Sequence, residues 1–292
     1  MNAFVPWTGG KSNLRDEIVR RFPPKVSRYV EVFGGAGWVL FHKEPSPFEV
    51  YNDFNSNLVT LFRVVREQPE KLLRQLDFCL NSREEFEQIK VLFDRKVKMP
   101  DVVRAANFFR LIRMSYGSKC VSFSAQPCDL ERGFPAIRLA HSRLRDVIIE
   151  NRDFEEIIRH YDRPDTLFYC DPPYYGTEDY YLDVGFTVAD HLRLRDALMG
   201  IQGRFLLSYN DCPEIRELYD GYQIVELTRQ NNMAQRYVKP PPSADGTPFT
   251  KGGYGAEYAE LLIANYDMGE RGRQNEQLSI FHSIAPPEAG RY

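Results

Sequence analysis

The chain has 292 residues, 43% of them hydrophobic and 27% charged, with a formal net charge of -3. These values are ordinary for a globular protein with a buried core, and they exclude a uniformly basic nucleic-acid binder. Apolar runs stay well short of the roughly 18 residues that a membrane span needs, and the N-terminus lacks a secretory leader pattern. We therefore expect a cytoplasmic protein. The five cysteines and five histidines show no metal-ligand spacing, so no metal site is predicted.

The first third of the chain carries a βαβ pattern. SNLRDEIVRRF predicts an amphipathic helix with Ser12 as its N-cap, ended by two prolines. A strand is predicted over 28–33, followed by the glycine turn FGGAG (33–37), a helix beginning in WVLFHK and a second strand over 48–53. This order, within about 30 residues, is typical of a parallel α/β sheet.

Residues 55–145 change to helical periodicity, with helices predicted in 56–67, 70–80, 83–96 and 101–116. From Arg83 to Arg145 there are 13 Lys or Arg against 7 Asp or Glu. This region has the charge to meet phosphates, although a mixed solvated surface would have a similar composition.

Strand patterns resume over 146–154, 166–174, 203–211, 222–227 and 257–266. We predict an α/β fold with about seven mostly parallel strands, interrupted by one helical body. The corresponding units are a catalytic domain (1–54 and 146–267), a helical domain (55–145) and a disordered tail (268–292). The polar, Pro/Gly-rich stretch 229–255 is too long for an ordinary connection, so we interpret it as a functional or disordered loop.

DPPY, from Asp171 to Tyr174, directly follows the apolar strand LFYC, at the edge where open α/β sheets build ligand sites. The Asp171 carboxylate and the Pro172 carbonyl can each accept one hydrogen of an exocyclic amine, which aims its lone pair at an electrophilic methyl group. Two successive prolines fix φ and remove competing N–H donors. Tyr174 offers a ring to a base drawn out of a duplex. A rigid strand-end turn beside a core tyrosine is the structural alternative.

FGGAG and Asp53, at the end of the next strand, together predict a site for an adenosine-bearing cofactor, with the acid on the ribose hydroxyls. The full dinucleotide fingerprint G-x-G-x-x-G is missing, so S-adenosylmethionine matches better than NAD. In PWTGGK (6–11), Lys11 either neutralises a cofactor carboxylate or approaches Asp171, and a plain N-terminal turn is the third interpretation.

PWTGGK, FGGAG, Asp53 in YNDFN, RDF (152–154), DPPY and LLSYND resemble, in this order, the motifs of the Dam-type family of N6-adenine DNA methyltransferases. The resemblance covers residues 4–266. It implies a Rossmann-like methyltransferase sheet, an inserted target-recognition domain at 55–145, and transfer of methyl from S-adenosylmethionine to a flipped adenine in double-stranded DNA. It places the cofactor among Trp7, Lys11, Phe33, Gly35, Gly37, Asp53, Asp153 and Phe154. It places the adenine at Asp171, Pro172, Pro173 and Tyr174.

The recognition segment departs from the family, because GATC readers carry a longer NRYGYNG-like stretch and a following hairpin where this chain has RMSYGSKCVSFSAQP. No target sequence is therefore predicted. The candidate DNA contacts are Arg113, Tyr116, Lys119, Ser122 and Ser124. Asp171 favours adenine over N4-cytosine, for which Ser is usual at this position. The sequence is also compatible with an RNA substrate, and with a catalytically idle DNA-binding protein on the same scaffold.

The peptide QLSIF near the C-terminus is similar to the short motif by which bacterial DNA-processing proteins bind the replicative sliding clamp. Leu278, Ile280 and Phe281 would enter apolar pockets while Gln277 fixes the register. The alternative is that the apolar side chains pack back on the core as a terminal strand.

Overall fold

The computed structural model describes residues 1–126, 128–177, 185–229 and 258–269. Its strands are β1 (Arg28–Glu31), β2 (Phe48–Asn52), β3 (Val147–Glu150), β4 (Thr166–Cys170), β5 (Arg204–Asn210), β6 (Gln223–Arg229) and β7 (Tyr258–Ala264). They form one sheet in the order β3-β2-β1-β4-β5-β7-β6. Strands β1 to β5 are parallel, whereas β7 runs antiparallel to β5 and β6. The predicted mostly parallel, seven-stranded Rossmann-like sheet is confirmed.

The helices in the described residues are α1 (Arg15–Arg20), α2 (Trp38–His42), α3 (Ser56–Glu67), α4 (Pro69–Leu76), α5 (Arg83–Asp94), α6 (Asp101–Met114), α7 (Phe134–Leu144), α8 (Phe154–Tyr161), α9 (Val188–Met199) and α10 (Pro213–Leu218). The predicted N-cap Ser12 is wrong. Leu14 occupies that position, because the Lys11 carbonyl accepts the amides of Leu14 and Arg15 (3.0 and 2.9 Å) and closes a turn before the helix.

The sheet separates two hydrophobic cores, since side chains alternate between its faces. On β4, Leu167 and Tyr169 join a cluster that includes residues of α1, α2, α3, α4, α6 and α7. Phe168 and Cys170 join the opposite cluster, which includes residues of α8, α9 and α10. Burial on both faces explains why this strand is apolar at nearly every position. Helices α3, α4 and α6, predicted within a separate helical body, share one core with the sheet, and so does α7, a helix that was not predicted.

Helix α5 packs on α6 through a third, smaller cluster that includes Phe86 and Met114, with Phe123 against it. After α6 the chain forms a loop over residues 115–124, which we call the 115–124 loop. The Tyr116 amide donates to the Ser122 carbonyl (2.8 Å) and the Ser124 amide to the Met114 carbonyl (2.7 Å). These bonds join the two ends of the loop and hold its backbone against the end of α6.

Several predictions concern residues outside the described ranges. The loop predicted at 229–255 lies outside them apart from its first residue, and so do Gln277, Leu278, Ile280 and Phe281. Their roles stay predictions. Met268, assigned to the tail, is 3% exposed and belongs to the first core.

Candidate active site

The motif residues converge because the strands that precede them are neighbours. In the sheet register, Glu31 at the end of β1 lies beside Tyr51 of β2 and Tyr169 of β4. The glycine turn follows β1, Asp53 follows β2 and Asp171 follows β4. The carboxyl ends of parallel strands form one edge, so these groups lie at the position where α/β sheets bind ligands.

Asn52, the last residue of β2, ties the carboxyl ends of β1, β2 and β3 together. Its Nδ2 donates to the carbonyls of Val32 (2.9 Å) and Arg152 (3.1 Å), and its Oδ1 accepts from the Arg152 amide (2.9 Å). The side chain is 1% exposed. Sequence reasoning missed this residue, although an amide within a buried strand needs such partners.

The glycine turn is fixed by contacts that exclude larger residues. Gly35 and Gly37 have φ of 50° and 69°, in the left-handed region that glycine adopts without steric cost. The Tyr51 hydroxyl donates to the Gly35 carbonyl (2.6 Å), and the Gly35 amide donates to Asp53 Oδ2 (2.8 Å). Burial raises the pKa of Asp53, and hydrogen bonds from the amides of Gly35 and Asn55 oppose that effect.

Aromatic side chains flank this turn. A Cβ at Gly35 would lie 3.1 Å from Trp7 Cδ1, so the indole stands against the turn. The Phe33 ring lies 5.6 Å from that of Phe154 and 5.9 Å from that of Phe186. Thus Trp7, Gly35, Phe33 and Phe154, all predicted around the cofactor, are brought near one turn.

Asp153 has a structural role that the sequence analysis did not identify. It is the N-cap of α8, where its Oδ1 accepts the Glu155 amide (2.9 Å). The same oxygen accepts from Arg193 Nη2 (2.9 Å). An aspartate directly before an apolar helical pattern, with glutamates in the first turn, is a recognisable cap signal, and it could have been found in the sequence.

Lys11 lies against Asp171. This is one of the two roles predicted for it, the other being a contact with a carboxylate of the cofactor. Its Nζ is 2.6 Å from Asp171 Oδ1 and 3.5 Å from Glu260 Oε1. The lysine is only 4% exposed. Burial alone would lower the pKa of its ammonium, but the carboxylates of Asp171 and Glu260 raise it well above its usual range. The ammonium is therefore charged at physiological pH.

The DPPY segment is tied to the end of β5. The Asn210 side chain accepts the Tyr175 amide and donates to the Tyr175 carbonyl, both at 3.1 Å. The Tyr174 ring centroid is 4.9 Å from Lys11 Nζ and 6.2 Å from the Tyr209 ring. Pro172 is buried and Pro173 half-buried. The segment thus joins an acid, a buried cation and an aromatic face at one edge of the sheet.

Two buried acids near this edge were missed in the sequence. Glu31 of β1 is 2% exposed and accepts from the Tyr29 hydroxyl (2.6 Å). Burial raises the pKa of Glu31 to about 8. Glu260 of β7 is 3% exposed. A glutamate inside an apolar strand, as in RYVEVF and AELLIA, is the signal that could have found both.

The candidate DNA contacts lie in or beside the 115–124 loop. Tyr116, Lys119 and Ser122 are exposed, whereas Arg113 and Ser124 are half-buried. Thr8 Oγ1 donates to the Gly117 carbonyl (3.2 Å). This bond joins the loop to PWTGGK and therefore to the edge that carries Lys11.

Some cations of the basic region are bound within the protein. Arg143 pairs with Glu49, Arg110 pairs with Glu85, and Arg104 donates to side chains of α3. The net charge of 83–145 therefore overstates what this region can offer to phosphates.

Within the described ranges there is no group of three or more His, Cys, Asp or Glu suited to a metal ion. Across those same ranges, no helix is long and apolar enough to span a membrane.

The proteins similar to this chain include a type II methyltransferase and two DNA adenine methylases. The type II methyltransferase M1.LlaDCHI of Lactococcus lactis subsp. cremoris is 28% identical over 256 residues, covering 79% of this chain and 89% of the relative. The DNA adenine methylase of Haemophilus influenzae is 26% identical over 267 residues, covering 81% and 89%. That of Escherichia coli strain K12 is 26% identical over 237 residues, covering 74% and 84%.

A family model described as D12 class N6 adenine-specific DNA methyltransferase matches residues 7–127 and 132–233. These ranges contain the glycine turn, Asp53, the 115–124 loop, DPPY and LLSYND. The match extends over well more than half of the chain, and it contains the edge at which the site residues meet. The chain belongs to the D12 class of N6 adenine-specific DNA methyltransferases.

Proposed function

We propose that the protein transfers a methyl group from S-adenosylmethionine to the N6 amine of an adenine flipped out of double-stranded DNA, at a specific short sequence. Family membership makes the chain a DNA adenine methyltransferase; the cofactor, base flipping and the residue roles are what we propose beyond it. The single observation that carries the proposal is Asp171, placed at the carboxyl end of β4 with its carboxylate against the buried Lys11.

The glycine turn fits a nucleoside. Gly35 keeps the backbone free of a Cβ atom beside Trp7, whereas Gly37 leaves room for the Phe41 and Phe62 rings beneath the turn. Asp53 is held beside the turn by its bond from the Gly35 amide. A carboxylate has about four lone-pair sites, so Asp53 can accept ribose hydroxyls while it keeps its two backbone bonds. When bound there, S-adenosylmethionine supplies an electrophilic methyl group.

At the base site, the protein has to make a poor nucleophile reactive. The N6 lone pair of adenine is delocalised into the ring, and acceptors at Asp171 and Pro172 would localise it by binding the two amine hydrogens. As the N6 nitrogen bonds to the methyl carbon, the bond from that carbon to sulfur would break and S-adenosylhomocysteine would leave; the positively charged nitrogen would then release one proton to water. The Asp171 carboxylate would stabilise that charge, and Tyr174 would stack on the flipped base.

Replacing Asp53 by alanine is expected to weaken S-adenosylmethionine binding, because a charge-assisted hydrogen bond to the ribose is lost. The expected loss is about 1.5–3 kcal/mol, or at least tenfold in Kd. Isothermal titration calorimetry with the purified protein measures it. Asp165→Ala is the control, since Asp165 is exposed and precedes β4 at the opposite edge. Equal affinity of Asp53→Ala and wild type for S-adenosylmethionine would show that Asp53 does not bind the ribose.

For DNA, we infer that residues 55–145 recognise the target, with the 115–124 loop next to the base site and the 229–255 segment assisting. The exposed Tyr116, Lys119 and Ser122 support this role, as does the bond between Thr8 and Gly117. Arg113 and Ser124 complete the proposed set. Because this loop departs from that of the GATC readers, we carry no target sequence over from them.

DNA binding is expected to weaken by at least about 100-fold between roughly 50 and 200 mM salt, as about four phosphate contacts would require. Fluorescence anisotropy of a labelled duplex measures the dependence. Lys119→Ala should reduce the slope of log K against log salt by about 1. Lys25→Ala, at an exposed position just before β1, should leave it unchanged. A flat dependence would contradict the proposed DNA surface.

Sequencing of modified bases in genomic DNA incubated with the protein and S-adenosylmethionine tests the proposed specificity. We expect N6-methyladenine within one recurrent short sequence. N4-methylcytosine, or no modified base in the DNA, would overturn the proposal.

A further inference from the structure

Glu260 lies close to the DPPY segment although β7 is far from it in sequence. In the register of β5 and β7, Glu260 is opposite Asn210, the last residue of β5. Leu262 and Ala264 belong to the same core cluster as Tyr169, whereas Leu261 and Ile263 belong to the opposite one. Because side chains alternate along a strand, Glu260 faces the side of the sheet on which Tyr169 lies.

Lys11 connects Glu260 to the base site. Its Nζ lies 2.6 Å from Asp171 Oδ1, 3.5 Å from Glu260 Oε1 and 3.3 Å from the Gly9 carbonyl oxygen. The ammonium donates to the Gly9 carbonyl oxygen, and the carboxylates of Asp171 and Glu260 hold it by charge. Lys11 and Glu260 are 4% and 3% exposed, and few water molecules can screen their interaction.

The charges of this trio do not cancel. One ammonium stands between two carboxylates, which leaves a net charge of about -1 beside Asp171 in a region of low effective dielectric. Without Glu260, Lys11 and Asp171 would form a neutral pair, and the field of the Asp171 carboxylate on a nearby amine would be largely offset.

We propose that Glu260 is a positioning residue for methyl transfer: it holds Lys11 and keeps the trio negatively charged, so that Asp171 can stabilise the positive charge developing on N6. The inference rests on the role of Asp171 proposed above. That charge appears only as the N–C bond forms, so Glu260 acts on the chemical step and hardly on the binding of cofactor or DNA.

The first test replaces Glu260 by glutamine, which keeps the shape and removes the charge. We expect the single-turnover rate of methyl transfer to fall about tenfold, with the Kd for S-adenosylmethionine and the KM for DNA within twofold of wild type. Glu260→Asp should regain part of the rate. Glu226→Gln is the matched control, since Glu226 lies on the neighbouring β6 and its side chain is 62% exposed; it should behave as wild type.

The second test asks whether Glu260 acts through Lys11. In a Lys11→Met background, adding Glu260→Gln should change the single-turnover rate by less than twofold, because the cation that Glu260 positions, and whose charge it offsets, is gone. A wild-type rate in Glu260→Gln would overturn the inference. So would a further tenfold loss in the Lys11→Met background, or equal losses in Glu260→Gln and Glu260→Asp. If Asp171→Ala turns over normally, the proposed function itself fails, and that result is distinct from failure at Glu260 alone.

Discussion

Replacement of Asp171 by alanine is expected to lower the rate of methyl transfer by about 100-fold or more, while the Kd for S-adenosylmethionine stays within a few-fold of wild type. The carboxylate acts on the adenine amine, and the predicted cofactor contacts follow other strands. Loss of Asp171 leaves Lys11 beside Glu260, so its buried charge keeps a partner and the fold should survive. Single-turnover kinetics with a labelled methyl donor measure the rate.

Two variants sharpen this result. Asp171→Asn keeps one oxygen acceptor and removes the charge, so a rate nearer to Asp171→Ala than to wild type would assign the effect to charge. Asp211→Ala is the matched control, because Asp211 follows β5 at the same edge but pairs with Arg216 (2.6 Å). Near-wild-type turnover in Asp171→Ala would show that Asp171 has no role in methyl transfer.

Replacement of Glu49 by alanine is expected to lower the free energy of unfolding by about 3–5 kcal/mol, the usual result of breaking a buried ion pair. Glu49 is 4% exposed and binds both Lys43 and Arg143. Without it, two cations would stay in the interior without their carboxylate. Urea denaturation measures the change; Glu67→Ala, at a side chain 54% exposed, should change it by less than about 1 kcal/mol.

The contribution of Glu49 to the free energy of unfolding should also depend on pH. Burial would raise the pKa of this carboxyl, but hydrogen bonds and charge from Arg143 and Lys43 outweigh it and hold the pKa below the usual 4.5. A lowered folded-state pKa stabilises the protein above the unfolded-state value, and that contribution is lost as pH falls through the folded-state pKa. The stability difference between wild type and Glu49→Ala should therefore shrink below about pH 4.5. An unchanged difference in acid would contradict this origin.

The strands and most helices of this fold were predictable because their signals are local. Strand β4 is apolar at nearly every position, and α3 follows its N-cap Asn55, whose side chain accepts the amides of Asn57 and Leu58. The element that a helix packs against is often distant in sequence. Periodicity identifies the apolar face of a helix but not the surface that covers it. The sharing of one core between the sheet and α3, α4, α6 and α7 could not be predicted for that reason.

The same distinction applies to the candidate site. Motifs at strand ends predicted which residues meet at the edge, since topology places the ends of parallel strands together. Lys11, Asp171 and Glu260 come from three distant parts of the chain. Glu260 lies beside the other two only because of the register between β7 and β5. For Asp153 the local signal was the one overlooked: the sequence predicted a contact with the cofactor, and the structure shows that this residue also caps α8.

The most direct test of the proposed chemistry is mass spectrometry of nucleosides from duplex DNA incubated with the protein and S-adenosylmethionine carrying a trideuterated methyl group. We predict the label on N6 of deoxyadenosine with the wild-type protein and its loss with Asp171→Ala. Label on N4 of deoxycytidine, or none on any base with the folded wild-type protein, would contradict transfer to adenine at this site.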